Sequence, residues 1–359
     1  MRVCDYIAKT LHEHYGVERV YGLMGGGASG LNDGFIKYGK IKYICHHHEQ
    51  GAGYAAFGES KYTNEIAVVN PTTGCGGTNI ITPVLNAWQD GVPLVIISGN
   101  VRKTHTSNYI NKMRNVSIRK YGVQEHDIIN TVKNITKYAR VVEHPHDIEK
   151  MLAEAIHEAT TGRKGPVWLD IPSDVQTAEL TPHNIKINLN WNRIYRTDVF
   201  DGVLSTIQNA SRPLILAGNG IHMSNTRHAF KRFIEQYNIP YVSTYLARDL
   251  MNYDHRLNIG TIGIKGSRAG NWIMHHCDAL IIMGCSLNAT HIGYDEKQFS
   301  PYSHKIMIDV DANEYNKENV KIDKFYQVDL IDFFKESEDK IFSQQNYKKW
   351  KEVDEYAEF

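Results

Sequence analysis

Glu49 opens the run Gln50-Gly51-Ala52-Gly53-Tyr54-Ala55-Ala56-Phe57-Gly58, in which most side chains are small. A carboxylate in the first turn of a helix is favoured by the helix dipole whatever its role. A helix without bulk also lets a second backbone or a flat ligand come close. A carboxylate beside such a surface is open to desolvation, the condition under which carboxylates in general gain proton affinity. That is the property a group needs to share a proton with a bound ligand.

Two glycine loops flank this residue in the sequence. Gly25-Gly26-Gly27-Ala28-Ser29-Gly30 satisfies G-x-G-x-x-G after an apolar run, and Glu49 lies 19 residues past Gly30. Read by itself, this is a dinucleotide fingerprint, and an NAD-dependent oxidoreductase using residues 25–30 is one reading. Two features count against it: a helix precedes the first strand, and Glu49 falls beyond the strand tip. The second loop, Thr72-Thr73-Gly74-Cys75-Gly76-Gly77-Thr78-Asn79, stands between a strand and a helix. Backbone N–H groups at such a helix start can hold polar ligand groups. It lacks the Gly-Lys-Ser/Thr ending of a P-loop. Cys45-His46-His47-His48 alternates faces on an extended segment, so its side chains cannot converge on one ion, and no metal site is expected.

These residues sit in a chain of 359 residues with 42% apolar and 22% charged content, ordinary for a globular protein of two or three domains. Lys+Arg and Asp+Glu are both 40. The chain as a whole therefore has no single-sign field, and neither nucleic acid nor a membrane is an expected partner, though a local basic patch stays open. The five cysteines include no C-x-x-C pair. With no apolar signal segment at the N-terminus and no run of about 20 apolar residues, the expected location is cytoplasmic.

The apolar pattern must then place the loops. Helical spacing covers 3–15, and strands are expected at 20–24, 41–45 and 66–70, with a helix from 49 between the last two. A helix at about 78–89, a strand at 94–98, a helix at 147–160 and a strand at 167–171 follow. The rhythm lapses over 173–192 and restarts with a helix at 198–209, a strand at 213–218 and a helix at 226–237. Strands at 279–284 and 305–310 complete it. This alternation predicts an α/β fold of two doubly wound, parallel-sheet (Rossmann-like) domains in tandem. The expected domains are 1–178 and 193–330, with a linker at 179–192 and a helical tail or connection at 331–359.

Taken in order, the segments resemble the thiamine-diphosphate enzymes of the acetolactate synthase and pyruvate oxidase branch. Val20-Tyr21-Gly22-Leu23-Met24-Gly25-Gly26-Gly27-Ala28 is similar to that family's V-F-G-Y-P-G-G-A turn. His47-His48-Glu49-Gln50-Gly51-Ala52 begins a helix like its R-H-E-Q-x-A, and residues 72–79 resemble T-S-G-P-G-A-T-N. Ala87-Trp88-Gln89-Asp90-Gly91-Val92-Pro93-Leu94-Val95, Gln124-Glu125, Ile135-Thr136-Lys137-Tyr138 and Gly165-Pro166-Val167-Trp168-Leu169-Asp170-Ile171-Pro172 continue the match. Residues 212–218 and 306–311 resemble the family's central domain.

The resemblance implies that 1–178 is a pyrimidine-binding domain and that Glu49 is the glutamate that hydrogen-bonds N1′ of the cofactor aminopyrimidine. That contact lets the 4′ nitrogen take the proton from C2, the carbon that attacks a 2-oxo acid. It further implies cofactor contacts at Gly25, Gly26, Gly27, Thr73, Gly74 and Asn79, and a substrate pocket near Val123 and Gln124. The expected activity is decarboxylation or carboligation of a 2-oxo acid, as a lyase or transferase. The expected assembly is a homodimer or homotetramer; the small side chains of the helix from Glu49 suggest it as an interface with Tyr54 and Phe57 as anchors, the alternative being that this helix packs within its own chain. The family holds Mg²⁺ on the diphosphate with a G-D-G…N-N element in a third domain, and no Gly-Asp-Gly occurs in these residues. Magnesium ligands are thus expected outside them, and an incomplete or non-catalytic chain that needs a partner is the alternative within the family. Val123 replaces the aromatic of F-Q-E, Cys75 replaces a proline, and Cys285-Ser286-Leu287-Asn288 stands where flavin-binding members have R-F-D-D. FAD binding is therefore doubtful.

Overall fold

Leu94–Asn100 and Val167–Pro172 are buried at every position, the pattern of strands covered on both faces of a parallel sheet. The computed structural model, which describes residues 1–183 and 198–338, places them side by side. The chain divides into two compact units, Met1–Trp191 and Asn192–Phe359.

The first unit holds β1 (Arg19–Gly22), β2 (Lys42–Cys45), β3 (Ala67–Asn70), β4 (Leu94–Asn100), β5 (Tyr138–Val141) and β6 (Val167–Pro172). All pair in parallel, in the order β2-β1-β3-β4-β6-β5. The chain runs outward from β1 to β2, then returns past β1 to β3. The direction of winding reverses between β1 and β3, and ligands of open α/β sheets bind at the carboxyl ends of strands beside such a reversal. One face of the sheet is covered by the helix Val3–Tyr15, which buries Val3, Cys4, Ile7, Ala8 and Leu11 at helical spacing. The helix Asp147–Thr160 buries Ile148, Leu152, Ala155, Ile156 and Ala159 into the same core. The other face packs Ala52 and Ala56 of the helix Glu49–Thr63 with Val84 and Ala87 of the helix Ile81–Asp90.

The second unit repeats the architecture with β7 (Pro213–Ala217), β8 (Tyr241–Ser243), β9 (Asn258–Thr261), β10 (Ala279–Met283), β11 (His304–Asp309) and β12 (Lys324–Gln327). The parallel order is β12-β11-β10-β7-β8-β9. Its core extends into the helix Leu330–Glu338, where Phe333 and Phe334 are buried. Phe333 packs against Phe200 and Phe233, with ring centroids 5.8 and 5.7 Å apart.

The expected helix at 78–89 is two helices, Cys75–Asn79 and Ile81–Asp90. Pro83 has no N–H to donate to Asn79, so a continuous helix would lose that bond, whereas a proline in the first turn of a new helix costs nothing. β5, β8, β9 and β12 are short strands that the apolar pattern did not predict; β9 is half-buried throughout. Of the segment expected as a linker, residues 179–180 are tied to the N-terminus: Leu180 N–H donates to Met1 O at 2.7 Å. Residues 184–192 of that segment, and 339–359 of the expected tail, lie outside the described residues.

Candidate functional site

The loops that leave β1, β3 and β4 meet at one edge of the first sheet. After β1 the chain makes a short turn at Gly26–Ala28 and enters the helix Ser29–Tyr38. Gly27 lies against Thr73, so closely that a Cβ there would stand 1.6 Å from Thr73 Oγ1. Gly99, near the end of β4, approaches Gly27 in the same way, and Thr73 Oγ1 donates to Gly99 O at 3.3 Å. Gly25 packs on Thr72, whereas Gly26 is exposed and has nothing within 4 Å of a would-be Cβ. Gly25, Gly27 and Thr73 thus form the joint between the loops, and Gly26 faces open space.

Glu49 follows β2. His48 caps the helix by accepting the Gln50 N–H on Nδ1 at 3.1 Å, which puts Glu49 at the first helical position. Glu49 is 7% exposed. Asn79, at the end of the helix Cys75–Asn79, donates from Nδ2 to Glu49 Oε2 at 2.9 Å. Among the described residues no donor reaches Oε1. Gly76 lies beside that oxygen: a Cβ there would stand 3.3 Å from Oε1 and 2.7 Å from Thr72 Cγ2.

Gly74 has φ +57°, in the left-handed region, and a Cβ there would stand 1.6 Å from the Gln124 carbonyl oxygen. Gln124 itself has φ +56°. The second glycine loop and the expected substrate-pocket residue are therefore in contact through backbone, and only glycine fits at position 74. Val123, next to it, is 79% exposed. Glu125 is buried and accepts from Ser107 N, Ser107 Oγ and Tyr121 N at 3.1, 3.2 and 3.0 Å. It fixes the segment that carries Gln124.

The small side chains after Glu49 have a use inside the unit. Gly53 packs on Pro83, with a would-be Cβ 2.5 Å from Pro83 Cγ, and Ala52 and Ala56 are fully buried. The close approach that the sequence suggested across a two-fold axis is thus made by the chain's own helix Ile81–Asp90. Tyr54 (38%), Leu85 (37%) and Trp88 (40%) on the same pair of helices remain partly exposed.

Three groups of supporting residues escaped the sequence reading. Gln176 Oε1 accepts the Leu31 N–H at 3.2 Å, and its Nε2 donates to Gly27 O at 2.7 Å. A backbone donor at the start of the helix Ser29–Tyr38, which a dinucleotide pyrophosphate would use, is thereby engaged. Tyr43 OH lies 3.1 Å from Asn32 Oδ1 and 3.2 Å from Asn70 Oδ1, below the ends of β1 and β3, and burial pushes its pKa up. Asp170 on β6 accepts from Ser98 Oγ at 2.6 Å and Asn100 Nδ2 at 2.7 Å, both on β4. Burial pushes its pKa up to about 6, against the pull of those two donors. Their common signal in the sequence is a polar residue inside or just after an apolar strand. Among the described residues no group of three or more His, Cys, Asp or Glu side chains is placed to hold a metal ion, and no described helix is long and apolar enough to cross a membrane.

A buried carboxylate with one oxygen held and the other facing a glycine-lined space suits a flat, nitrogen-rich ring that can donate one hydrogen bond. The comparisons with known proteins identify the family. The family description "Thiamine pyrophosphate enzyme, N-terminal TPP binding domain" matches residues 1–131, and "Thiamine pyrophosphate enzyme, central domain" matches residues 200–335. The chain is 33% identical over 318 residues to the acetolactate synthase large subunit of Lactococcus lactis, covering 87% of this chain and 52% of the relative. It is 32% identical over 315 residues to the corresponding large subunit of Corynebacterium glutamicum, covering 87% and 48%. It is 30% identical over 307 residues to the isozyme 1 large subunit of Escherichia coli, covering 85% and 52%. The chain spans about half the length of these relatives. It belongs to the thiamine-diphosphate enzyme family, in its acetolactate synthase-like branch, and carries that family's N-terminal and central domains.

Proposed function

We propose that this chain supplies the aminopyrimidine side of an active site that decarboxylates a 2-oxo acid and either releases the product or joins it to an acceptor. The observation that carries the reading is the pair of unequal oxygens on Glu49: Oε2 takes the Asn79 amide at 2.9 Å, and Oε1 is left for a ligand. Thiamine diphosphate, when bound, supplies the acidic carbon that attacks the substrate carbonyl and accepts its electrons as carbon dioxide leaves. The rest is the work of the chain. Glu49 holds a proton at the N1′ position of the ring, and its burial keeps water from competing for it. Asn79 holds the carboxylate in one orientation. The contact of Gly27 with Thr73 fixes the two loops that frame the ring, and Gly74 sets the backbone of Gln124 at the rim.

Magnesium and the diphosphate ligands belong to residues outside these 359, so the active assembly contains a further domain, in this polypeptide or a partner. A cytoplasmic homodimer or homotetramer completes the reading, with Tyr54, Leu85 and Trp88 as exposed anchors. Glu49→Gln in the assembled enzyme is the test. Glutamine keeps the shape but cannot share the proton, so turnover should fall at least about 100-fold. The exchange rate of the C2 proton, followed by NMR, should fall in parallel. Unchanged exchange would remove Glu49 from this role.

A further inference from the structure

No Asp or Glu occurs between Asp90 and Glu125, yet residues 101–124 carry Arg102, Lys103, Lys112, Arg114, Arg119 and Lys120. In a chain with zero net charge this is a marked segregation. The segment leaves the carboxyl end of β4 and includes the helix Ser107–Arg114. It folds back on itself: a Cβ on Gly122 would stand 2.7 Å from His105 O and 3.0 Å from Val101 Cγ2. Asn111 Oδ1 accepts the Ile118 N–H at 2.7 Å, which closes the turn after the helix. The result is a lobe at the sheet edge that bears Glu49, and its last residue, Gln124, touches Gly74.

The acids around the lobe are already engaged. Glu125 is buried against Ser107 and Tyr121; Asp127 accepts from Asn108 and Asn130; Asp174 accepts the Lys103 N–H; and Glu143 pairs with Lys103 Nζ at 3.1 Å. Arg102, Lys112, Arg114, Arg119 and Lys120 are exposed, and none forms an ion pair with a described residue. The lobe that meets Gly74 through Gln124 therefore carries five exposed cations that have no ion-pair partner among the described residues.

We propose that this lobe selects the substrate: a 2-oxo acid that carries a second anionic group, phosphate or carboxylate, in addition to its own carboxylate. The inference rests on the 2-oxo acid chemistry proposed above. A single carboxylate next to the reacting carbonyl must sit deep, near the cofactor ring. A patch of cations at the rim acts on charge farther along the molecule, where it raises the local concentration of a polyanion and holds its distal end. Exposed cations act over a Debye length of about 10 Å at 0.1 M salt, the scale of a rim rather than of a bond. A single compact lobe in a chain of zero net charge suits a small polyanion better than a nucleic-acid backbone.

The test compares pyruvate, 2-oxoglutarate and 3-phosphohydroxypyruvate by calorimetry on the full chain, at about 20 mM and about 300 mM salt. The chains compared are the unaltered protein and the quadruple variant Lys112→Gln, Arg114→Gln, Arg119→Gln, Lys120→Gln, whose positions are exposed and whose folding is checked by thermal melting. The two dianions should bind at least about tenfold more tightly than pyruvate at low salt. That preference should collapse in the quadruple variant and at high salt. It should persist in Glu49→Gln, so a failure of the catalytic reading would not erase it. Equal binding of pyruvate and the dianions, or a preference that survives the quadruple change, overturns the proposal. So does salt-sensitive binding of a DNA oligonucleotide without any preference among the three acids, which would make the lobe a docking surface for a macromolecule.

Discussion

Asn79 donates to Glu49 Oε2 at 2.9 Å across 30 positions of sequence, from the end of one helix to the start of another. The bond does two things at once. It orients the carboxylate, and it leaves Oε1 as the oxygen that faces Gly76. Asn79 is the last residue before the helix break at Ile80.

Asn79→Ala should therefore act through Glu49. The carboxylate would keep its burial but lose its orienting donor. In the assembled enzyme kcat should drop by roughly 10- to 100-fold, with the substrate KM little changed, since the interaction serves the reacting proton rather than substrate binding. Asn79→Asp should be worse, because a second carboxylate would face the first. A variant that loses affinity for the substrate but keeps kcat would place Asn79 in the pocket instead.

The glycine turn offers a paired comparison. A methyl group on Gly27 would stand 1.6 Å from Thr73 Oγ1, while one on Gly26 meets nothing within 4 Å. Gly27→Ala must push the two loops apart and should cost about 1–3 kcal/mol in urea unfolding. Gly26→Ala should stay within about 0.5 kcal/mol of the unaltered chain. If Gly26 faces the ring, its methyl group should still weaken cofactor binding in the assembled enzyme. Stability and binding would then separate at adjacent residues, and equal stability losses at both positions would contradict the packing described.

The loops could be read in the sequence because each joins a strand to a helix, and glycine is needed wherever backbones cross. The two glycine loops are legible on that basis and Glu49 stands out by the lack of bulk after it, whereas the roles expected of Gly25, Gly27, Thr73, Gly74 and Glu49 rest on the family resemblance. Gln176, Tyr43 and Asp170 were not legible. Each works through a partner between 11 and 149 positions away, and no local pattern reports such a pairing. β8 and β9 were missed for a similar reason. β8 has three residues and β9 is half-buried, so neither gives a long apolar run. The small face after Glu49 was visible, but its neighbour was not: Pro83 and Ile80, in the same chain, fill the place a second subunit was expected to take.

That correction sharpens the expectation for assembly. With Ala52, Gly53 and Ala56 covered, the exposed large apolar groups on this pair of helices are Tyr54, Tyr62, Leu85 and Trp88, of which Leu85 and Trp88 share the helix Ile81–Asp90. Trp88→Ser with Leu85→Ser should convert an associating chain into a monomer of 40.9 kDa by light scattering at low micromolar concentration. The unaltered chain should show at least twice that mass. A concentration-independent monomer for the unaltered chain would remove the dimer for these residues.

Asp170 gives a prediction that needs neither cofactor nor partner. Its carboxyl is 2% exposed, and burial raises its pKa from an ordinary 3.8 to about 6 although Ser98 and Asn100 both donate to it. Between about pH 4 and pH 6 the folded chain holds a proton that the unfolded chain has released, so the contribution of this group to stability falls as pH rises through that window. A tenfold change in proton affinity is worth about 1.4 kcal/mol, so the loss is on the order of 3 kcal/mol, complete above about pH 6 and absent below about pH 4. Asp5 acts in the opposite direction. The hydrogen bond from Arg2 holds its pKa below the ordinary value, so its contribution is present above that value and fades as pH falls below it. The quantity to measure is therefore the difference between the unaltered chain and Asp170→Asn in urea unfolding, taken at steps across pH 4 to about 7. The variant cannot titrate, and its amide N–H would face the Nδ2 donor of Asn100, which is fixed because Asn100 Oδ1 accepts the Val101 N–H at 2.8 Å. It should start less stable at acid pH, where the carboxyl is protonated and free of penalty, and the gap should narrow steadily towards pH 6. A gap that stays constant across the window would mean that Asp170 titrates at its ordinary value, and that the bonds from Ser98 and Asn100 offset its burial in full.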